Sequence, residues 1–136
     1  MKPFAVWLAA AIGAFAAFGG GYHMHLESSP RRVVVLVDTS YPMRTSWQAV
    51  AGQLANLEER RYTQFSLFTE KGKIHGWNAR LRPGDVAPYA PRNLDKLSNP
   101  GHQPEFTEAD DRILITNADA AELPGPSGWD ILRLGR

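Results

Sequence analysis

The amino-acid sequence predicts an α/β domain, with a mostly parallel sheet and an antiparallel hairpin at the edge of the sheet, preceded by one N-terminal transmembrane helix. Three observations favour this class: an uncharged apolar run at the N-terminus, two β-branched runs that end in polar side chains, and a helical apolar pattern after the first of them. The chain has 136 residues, of which 43% are hydrophobic and 21% charged. These values fit one folded domain and exclude a disordered chain or a protein with many membrane spans.

The charge balance and the cysteine content exclude several function classes. Lysine and arginine number 15 against 14 acidic residues, for a net charge of +1, and the sequence has no basic stripe. We therefore expect no nucleic-acid partner. The absence of cysteine excludes a disulfide framework, thiolate metal sites and cysteine catalysis.

An apolar run without charged residues extends from Phe4 to Tyr22. As a helix that rises about 1.5 Å per residue, it just spans a bilayer core of about 30 Å. We interpret positions 1–22 as a signal anchor or, because Ala14-Phe15-Ala16 resembles a cleavage site, as a signal peptide. Lys2 favours a cytoplasmic N-terminus. The bulk of the chain is then extracytoplasmic, periplasmic in a bacterium, or secreted if the segment is cleaved.

Positions 23–32 are predicted to form a juxtamembrane linker. His23 and His25 lie two residues apart, a spacing that would suit a metal ion only in an extended segment. We therefore interpret them as solvated linker residues. The folded domain is predicted to occupy positions 33–136.

The first strand and helix of this domain form half of a βαβ unit. Positions 33–37 are a continuous run of valine and leucine, which is typical of a central parallel strand buried on both faces. The helix that follows has apolar residues at helical spacing over positions 47–57. Thr45 and Gln48 form a capping-box pattern at its start.

A hairpin is predicted next. The runs 62–69 and 74–81 flank a short polar turn. The second run has mostly apolar residues at every other position, as a half-buried strand does. His75 and Trp77 fall on its apolar face, so we interpret both as packing residues rather than catalytic groups.

The C-terminal third contains short elements joined by prolines. Positions 82–112 hold five prolines and leave room for one short helix near 93–97. A second central strand is predicted at 112–116. A last strand at 129–134 follows a predicted turn at 124–126.

Polar side chains follow both central strands. Asp38, Thr39 and Ser40 come directly after the first strand, and Thr116, Asn117 and Asp119 lie at the end of the second. Ligands of open α/β sheets bind beyond the carboxyl ends of the strands, where the strand order reverses. We call these six residues the rim and predict that they meet there and face a ligand. Their oxygen atoms suit a hard cation such as Mg²⁺.

The run Val33-Val34-Val35-Leu36-Val37-Asp38-Thr39-Ser40-Tyr41-Pro42-Met43 resembles the opening strand and metal-site loop of von Willebrand factor A domains, whose motif is Asp-x-Ser-x-Ser. Phe68-Thr69 in the hairpin and the strand that ends in Thr116-Asn117 match the family's order of elements. The resemblance covers positions 32–134 and implies a small Rossmann-like fold with a metal-ion-dependent adhesion site. It implies Asp38 and Ser40 as metal ligands, with Thr107 or Asp119 as additional ones.

The chain departs from the motif of that family in ways that bear on function. Pro42 stands where the family has its second serine, Asn117 stands where it has an aspartate, and the region before the second central strand is too short for the family's helix. The resemblance therefore implies a truncated, degenerate domain that binds protein without catalysis and takes no cofactor other than, at most, Mg²⁺. We expect a protein partner within a membrane complex, and a sheet face left exposed where helices are missing.

A second resemblance predicts a different function. The strand ends at 36–40 and 115–119 are similar to those of PIN-domain ribonucleases, which use several carboxylates to hold divalent metal for phosphodiester hydrolysis. The carboxylates in those roles would be Asp38, Glu58 or Glu59, Asp111 and Asp119. The hairpin, the shortage of helices and the export signal disfavour this alternative.

Overall fold

A computed structural model describes residues 2–119, 121–123 and 128–135. The chain divides into two compact units, Met1–Pro30 and Arg31–Arg136. The turn predicted at 124–126 lies outside the described residues.

The first unit is one helix, α1, which runs from Lys2 to Ser28. It is long and apolar enough to cross a membrane, with a mean hydropathy of 1.7 over 18 residues, and none of its residues is buried. The helix extends past the predicted span, so the segment predicted as a linker is helical through Ser28. It ends just before Pro30, because proline disfavours helical backbone in the residue that precedes it.

The second unit is built on a five-stranded sheet in the order β3-β2-β1-β4-β5. The strands are β1 (Arg31–Val37), β2 (Thr63–Thr69), β3 (Gly72–Asn78), β4 (Asp111–Thr116) and β5 (Asp130–Arg133). β1 lies at the centre and pairs in parallel with β2 and β4, β4 pairs in parallel with β5, and β2 pairs antiparallel with β3. The predicted α/β class, with a mostly parallel sheet and an edge hairpin, is confirmed.

The helices of this unit are α2 (Trp47–Glu58), α3 (Leu94–Ser98) and α4 (Pro104–Glu108), and a 3₁₀ turn, Tyr41–Ser46, leads into α2. The predicted capping box at Thr45 does not form, because Thr45 lies inside the 3₁₀ turn and its hydroxyl donates to the Pro42 carbonyl at 3.5 Å. The short helix predicted near 93–97 corresponds to α3, whose N-cap Asn93 accepts the Lys96 amide at 3.0 Å.

One face of the sheet is covered by α2. Its buried residues Val50, Leu54 and Leu57 belong to the same apolar cluster as alternate residues of β1, β2 and β4. These side chains recur at helical spacing on the helix and at a period of two on the strands, as the sequence indicates.

The opposite face is covered too, so the expectation of an exposed sheet face is wrong. Leu97 of α3 is fully buried and Phe106 of α4 is 9% exposed, and both belong to the apolar cluster of Val34, Leu36 and Leu114. Leu94 of α3, Ala118 and Leu123 also belong to or pack against this cluster, so the two short helices and the chain after β4 together cover this face. The ring of Phe106 lies 4.8 Å from that of Phe68 in β2, centroid to centroid.

A charged pair ties α4 to the edge hairpin. Lys73 of β3 donates to a carboxylate oxygen of Glu105 at 2.7 Å, and the Glu105 side chain is 9% exposed. The hydrogen bond from Lys73 holds the pKa of Glu105 below its usual value. The pair therefore links the short helix α4 to the edge strand β3.

Candidate functional site

The two polar clusters meet at the carboxyl edge of the central strands. The amide of Asp38 donates to the Ile115 carbonyl at 2.9 Å, which extends the pairing of β1 and β4 by one residue. Asp38 then accepts the Thr116 hydroxyl at 2.7 Å on one carboxylate oxygen and the Ser40 amide at 2.9 Å on the other. The chain passes from β1 to β2 on one side and later to β4 on the other, so the strand order reverses between β1 and β4. Because β1 and β4 are parallel neighbours, the two clusters meet at this edge.

Five of the six rim residues are buried. Asp38 and Thr116 are 0% exposed, Thr39 and Ser40 are 1% exposed, and Asn117 is 5% exposed. Asp119 is exposed, and its backbone amide donates to the Glu122 carboxylate at 3.1 Å. The rim is therefore an internal polar network, and neighbouring residues form the surface above it.

An arginine from the proline-rich segment completes the network. The Arg92 Nη2 atom lies 3.4 Å from a carboxylate oxygen of Asp38 and donates to the side-chain oxygen of Asn117. Its Nε donates to the Ser40 hydroxyl at 3.3 Å, and its Nη1 lies 3.9 Å from the Glu122 carboxylate. The side chain of Arg92 is 16% exposed. A fixed cation thus faces the buried carboxylate.

Backbone pairing brings this arginine to the site. Ser40 and Ala90 form an isolated parallel bridge, in which the Tyr41 amide donates to the Ala90 carbonyl at 2.8 Å. The Tyr89 amide donates to the Thr39 carbonyl at 3.1 Å. The chain at 89–90 is therefore held against the end of β1, two residues before Arg92.

A second buried carboxylate supports the loop after β1. Glu70, which follows β2 and is 8% exposed, accepts the Thr39 amide at 3.0 Å and also the Thr39 hydroxyl. The Thr39 hydroxyl is thus engaged inside the protein.

With the Arg92 guanidinium in place, the rim does not fit a divalent metal ion. Both carboxylate oxygens of Asp38 are engaged, and the Arg92 guanidinium contacts Asp38, Ser40 and Asn117. Among the described residues, no group of three His, Cys, Asp or Glu side chains is placed to hold a metal. A metal ion would share the space with a guanidinium of the same charge sign.

Thr107, the additional metal ligand that the resemblance implies, lies at the amino ends of the central strands, whereas Asp38 lies at their carboxyl ends. It is exposed on α4, and β4 begins only at Asp111, after that helix. The start of β4 pairs with Val33 near the beginning of β1, whereas Asp38 follows the last residue of β1. Residues just before a strand lie at its amino end, so Thr107 cannot join Asp38.

The carboxylates of the nuclease alternative do not converge either. Asp111 lies at the amino end of β4, where its carboxylate accepts from the Arg31 guanidinium at 2.8 Å. Glu58 ends α2 and accepts the Leu81 amide at 2.6 Å. Asp38 lies at the opposite edge of the sheet from Asp111, so the structure brings together no multi-carboxylate centre from this set.

The two residues of the hairpin that we interpreted as packing residues both have structural contacts. His75 Nδ1 lies 2.8 Å from the Gly76 carbonyl, and its Nε2 accepts the Arg82 amide at 3.2 Å. The ring is therefore the tautomer protonated on Nδ1. Trp77 packs against the second apolar cluster and donates its indole N–H to Glu108 at 2.9 Å.

Sequence reasoning missed two members of the site, Arg92 and Glu70. Glu70 follows the end of β2 just as Asp38 follows β1, so the rule that identified the rim could have found it. Arg92 carries no such signal, since it is one of 15 basic residues and lies in a segment without regular structure.

The surface beside the rim is apolar and aromatic. Outside α1, the exposed large hydrophobic residues in the described part of the chain are Tyr41, Ile74 and Tyr89, at 52%, 40% and 57% exposure. Tyr41 follows Ser40 directly. Ile74 and Tyr89 line a cleft of about 420 Å³ together with Thr39 at the end of β1. The Lys71 ammonium lies 3.1 Å from the ring centroid of Tyr89.

Comparisons with protein-family models, with curated proteins and with solved structures find no match to this chain.

Proposed function

We propose that this chain is a membrane-tethered, non-catalytic module that binds a partner protein at the carboxyl edge of its sheet. The observation that carries the proposal is the position of the exposed apolar side chains of the folded unit. Tyr41, Ile74 and Tyr89 all lie beside the end of β1, and Tyr41 and Tyr89 are held there by backbone hydrogen bonds to Ala90 and Thr39. Tyrosine is enriched in protein interfaces, because it offers apolar area and a polar tip at little entropic cost.

The chemistry of the rim favours binding over catalysis. A general base must reach a proton of its substrate, yet Asp38 is 0% exposed and both of its oxygens accept hydrogen bonds within the protein. Ser40 is 1% exposed, and its hydroxyl accepts a hydrogen bond from Arg92. These groups organise the loops that carry the tyrosines rather than attack a ligand.

The proposed relationship to von Willebrand factor A domains also favours a binding site at the carboxyl edge of the sheet. In this proposal the second unit is a small Rossmann-like domain whose strand order reverses between β1 and β4. Ligands of such sheets bind beyond the carboxyl ends of the strands at that reversal. The partner would then contact the loops after β1 and β4 and the bridged segment at 89–90.

We further propose that α1 tethers the domain to a membrane and that the domain lies on the extracytoplasmic side, with a partner in the same membrane complex. The support is the length and apolar character of α1, with Lys2 near its start as a cytoplasmic charge. If the segment is cleaved as a signal peptide, the same domain is secreted.

The absence of cysteine allows one experiment to test location and binding together. We would express three full-length variants, Tyr41→Cys, Tyr89→Cys and the control Asn56→Cys, which lies exposed on α2 away from the rim. Intact cells are treated with a membrane-impermeant maleimide that carries a photoreactive group and are then irradiated.

The reagent is expected to label all three variants and to cross-link a protein of one defined mass to positions 41 and 89 but not to position 56. Lack of labelling at position 56 contradicts the extracytoplasmic location. Labelling at all three positions without a cross-link at 41 or 89 contradicts binding at this edge. A cross-link of equal yield at position 56 contradicts the proposed interface.

A further inference from the structure

We infer that Arg92 is the built-in cation of an oxygen-donor site that would otherwise take a divalent metal ion, so that the carboxyl edge of the sheet is assembled without metal. The inference starts from Asp38. Its carboxylate is 0% exposed, and a buried carboxylate is costly unless a positive charge and hydrogen bonds compensate it. The Arg92 guanidinium, 3.4 Å away, provides that charge.

The atoms around the guanidinium have the chemistry of a cation site. Carboxylate, hydroxyl and amide oxygens from Asp38, Ser40 and Asn117 converge on Arg92 from the ends of two neighbouring strands. The Thr116 hydroxyl donates to the same Asp38 oxygen that faces the guanidinium. Oxygen donors of these types are the ligands of Mg²⁺ and related hard cations.

Arginine suits this position better than a point charge. Its planar fork donates through Nε to Ser40 and through Nη2 to Asn117, while the same Nη2 faces Asp38. One side chain thus satisfies acceptors from three residues that a metal ion would otherwise bridge.

The arginine is also held in place before any ion arrives. The backbone at 89–90 is bonded to Thr39 and Tyr41, and Pro91 restricts the chain between that pairing and Arg92. A metal ion would have to expel the guanidinium from a site where it is 16% exposed, or bind beside it against charge repulsion. Metal binding by the unaltered protein is therefore disfavoured.

This inference goes beyond the proposed function, because it holds whether or not a partner binds at the edge. It states that the loops after β1 and β4 keep their geometry in the absence of divalent metal. It also states that removing the arginine uncovers a latent metal site.

The test uses the full chain in detergent micelles and four variants: Arg92→Ala, Arg92→Lys, the double variant Asp38→Asn with Arg92→Ala, and the control Arg44→Ala. Arg44 is an exposed arginine in the neighbouring 3₁₀ turn, so its removal changes the net charge equally. Mn²⁺ binding is measured by the electron paramagnetic resonance signal of the free ion. Thermal unfolding is followed by near-ultraviolet circular dichroism with chelator and with Mg²⁺.

The unaltered protein and Arg44→Ala are expected to bind no Mn²⁺ with a Kd below about 1 mM and to unfold at the same temperature, within about 1 °C, with chelator or Mg²⁺. Arg92→Ala is expected to lower the Tm by about 10 °C or more, since it leaves Asp38 buried without a counter-charge. It should also bind one Mn²⁺, and the double variant should lose that binding. Arg92→Lys should unfold at an intermediate temperature and bind no Mn²⁺.

Several results overturn the inference. Binding of one Mn²⁺ by the unaltered protein, with a matching rise in Tm, shows that metal displaces the arginine. An Arg92→Ala variant as stable as Arg44→Ala shows that the guanidinium does not compensate Asp38. A destabilised Arg92→Ala variant that binds no Mn²⁺ shows that the oxygens do not form a latent site. If Arg92→Ala does not fold, Mn²⁺ binding by Arg92→Lys contradicts the inference.

Discussion

Replacing Asp38 with alanine is expected to lower the free energy of unfolding by about 3–5 kcal/mol, the cost of breaking a buried charged pair by removing one partner. The substitution leaves the Thr116 hydroxyl and the Ser40 amide without their acceptor and the Arg92 guanidinium without its principal counter-charge. Urea unfolding of the full chain in micelles, followed by tryptophan fluorescence, measures the change.

Asp85→Ala is the matched control for this prediction. Asp85 is an exposed aspartate in the proline-rich segment, so its removal is expected to change the free energy of unfolding by less than about 0.5 kcal/mol. If Asp38→Ala is as mild as Asp85→Ala, then Asp38 does not hold the rim together.

Replacing Phe106 with alanine is expected to lower the free energy of unfolding by about 3 kcal/mol, toward the lower end of the range for phenylalanine in a core because the residue is 9% exposed. The side chain packs on the face of the sheet opposite α2, and its ring contacts those of Phe68 and Trp129. The same urea titration measures the loss.

Thr107→Ala on the same short helix is the control for Phe106→Ala. Thr107 is exposed, so its removal is expected to have an effect within about 0.5 kcal/mol. Equal effects of the two substitutions would mean that α4 does not cover the sheet. That outcome would indicate that the face of the sheet opposite α2 is exposed, and it would favour this face as the docking surface.

The elements that the sequence predicts well are those whose apolar pattern is continuous. β1, α2 and β4 each carry a run of buried apolar residues at the period of their structure, so their place in the core follows from the residues alone. The meeting of Asp38 with Thr116 also follows, because parallel neighbouring strands place their carboxyl ends at one edge.

The elements that the sequence predicts poorly depend on contacts distant in the chain. Arg92 reaches the rim because 89–90 pairs with the end of β1, a bridge between residues about fifty positions apart that no local pattern indicates. α4 consists of five residues and is fixed by Phe106 and by the pair of Glu105 with Lys73. A helix this short has little intrinsic stability, so tertiary packing decides whether it forms.

The interpretation of the rim as a ligand-facing metal site illustrates a limit of motif reasoning. Spacing identified the carboxylate and hydroxyl that gather at the edge, but it did not reveal which group of the chain would satisfy them. The family resemblance implies Thr107 as a further ligand, whereas its position before β4 places it at the other edge of the sheet. Arg92 contacts the oxygens instead.

The most direct test of the account is the amide hydrogen exchange of Ser40 and Ala118, measured by nuclear magnetic resonance on the full chain in micelles with chelator and with millimolar Mg²⁺. The Ser40 amide donates to Asp38 at 2.9 Å, and the Ala118 amide donates to the Thr116 hydroxyl at 3.1 Å. If Arg92 assembles the rim, both amides are protected equally in the two conditions. Fast exchange with chelator that slows on addition of Mg²⁺ would contradict the account and show that a metal ion assembles this edge.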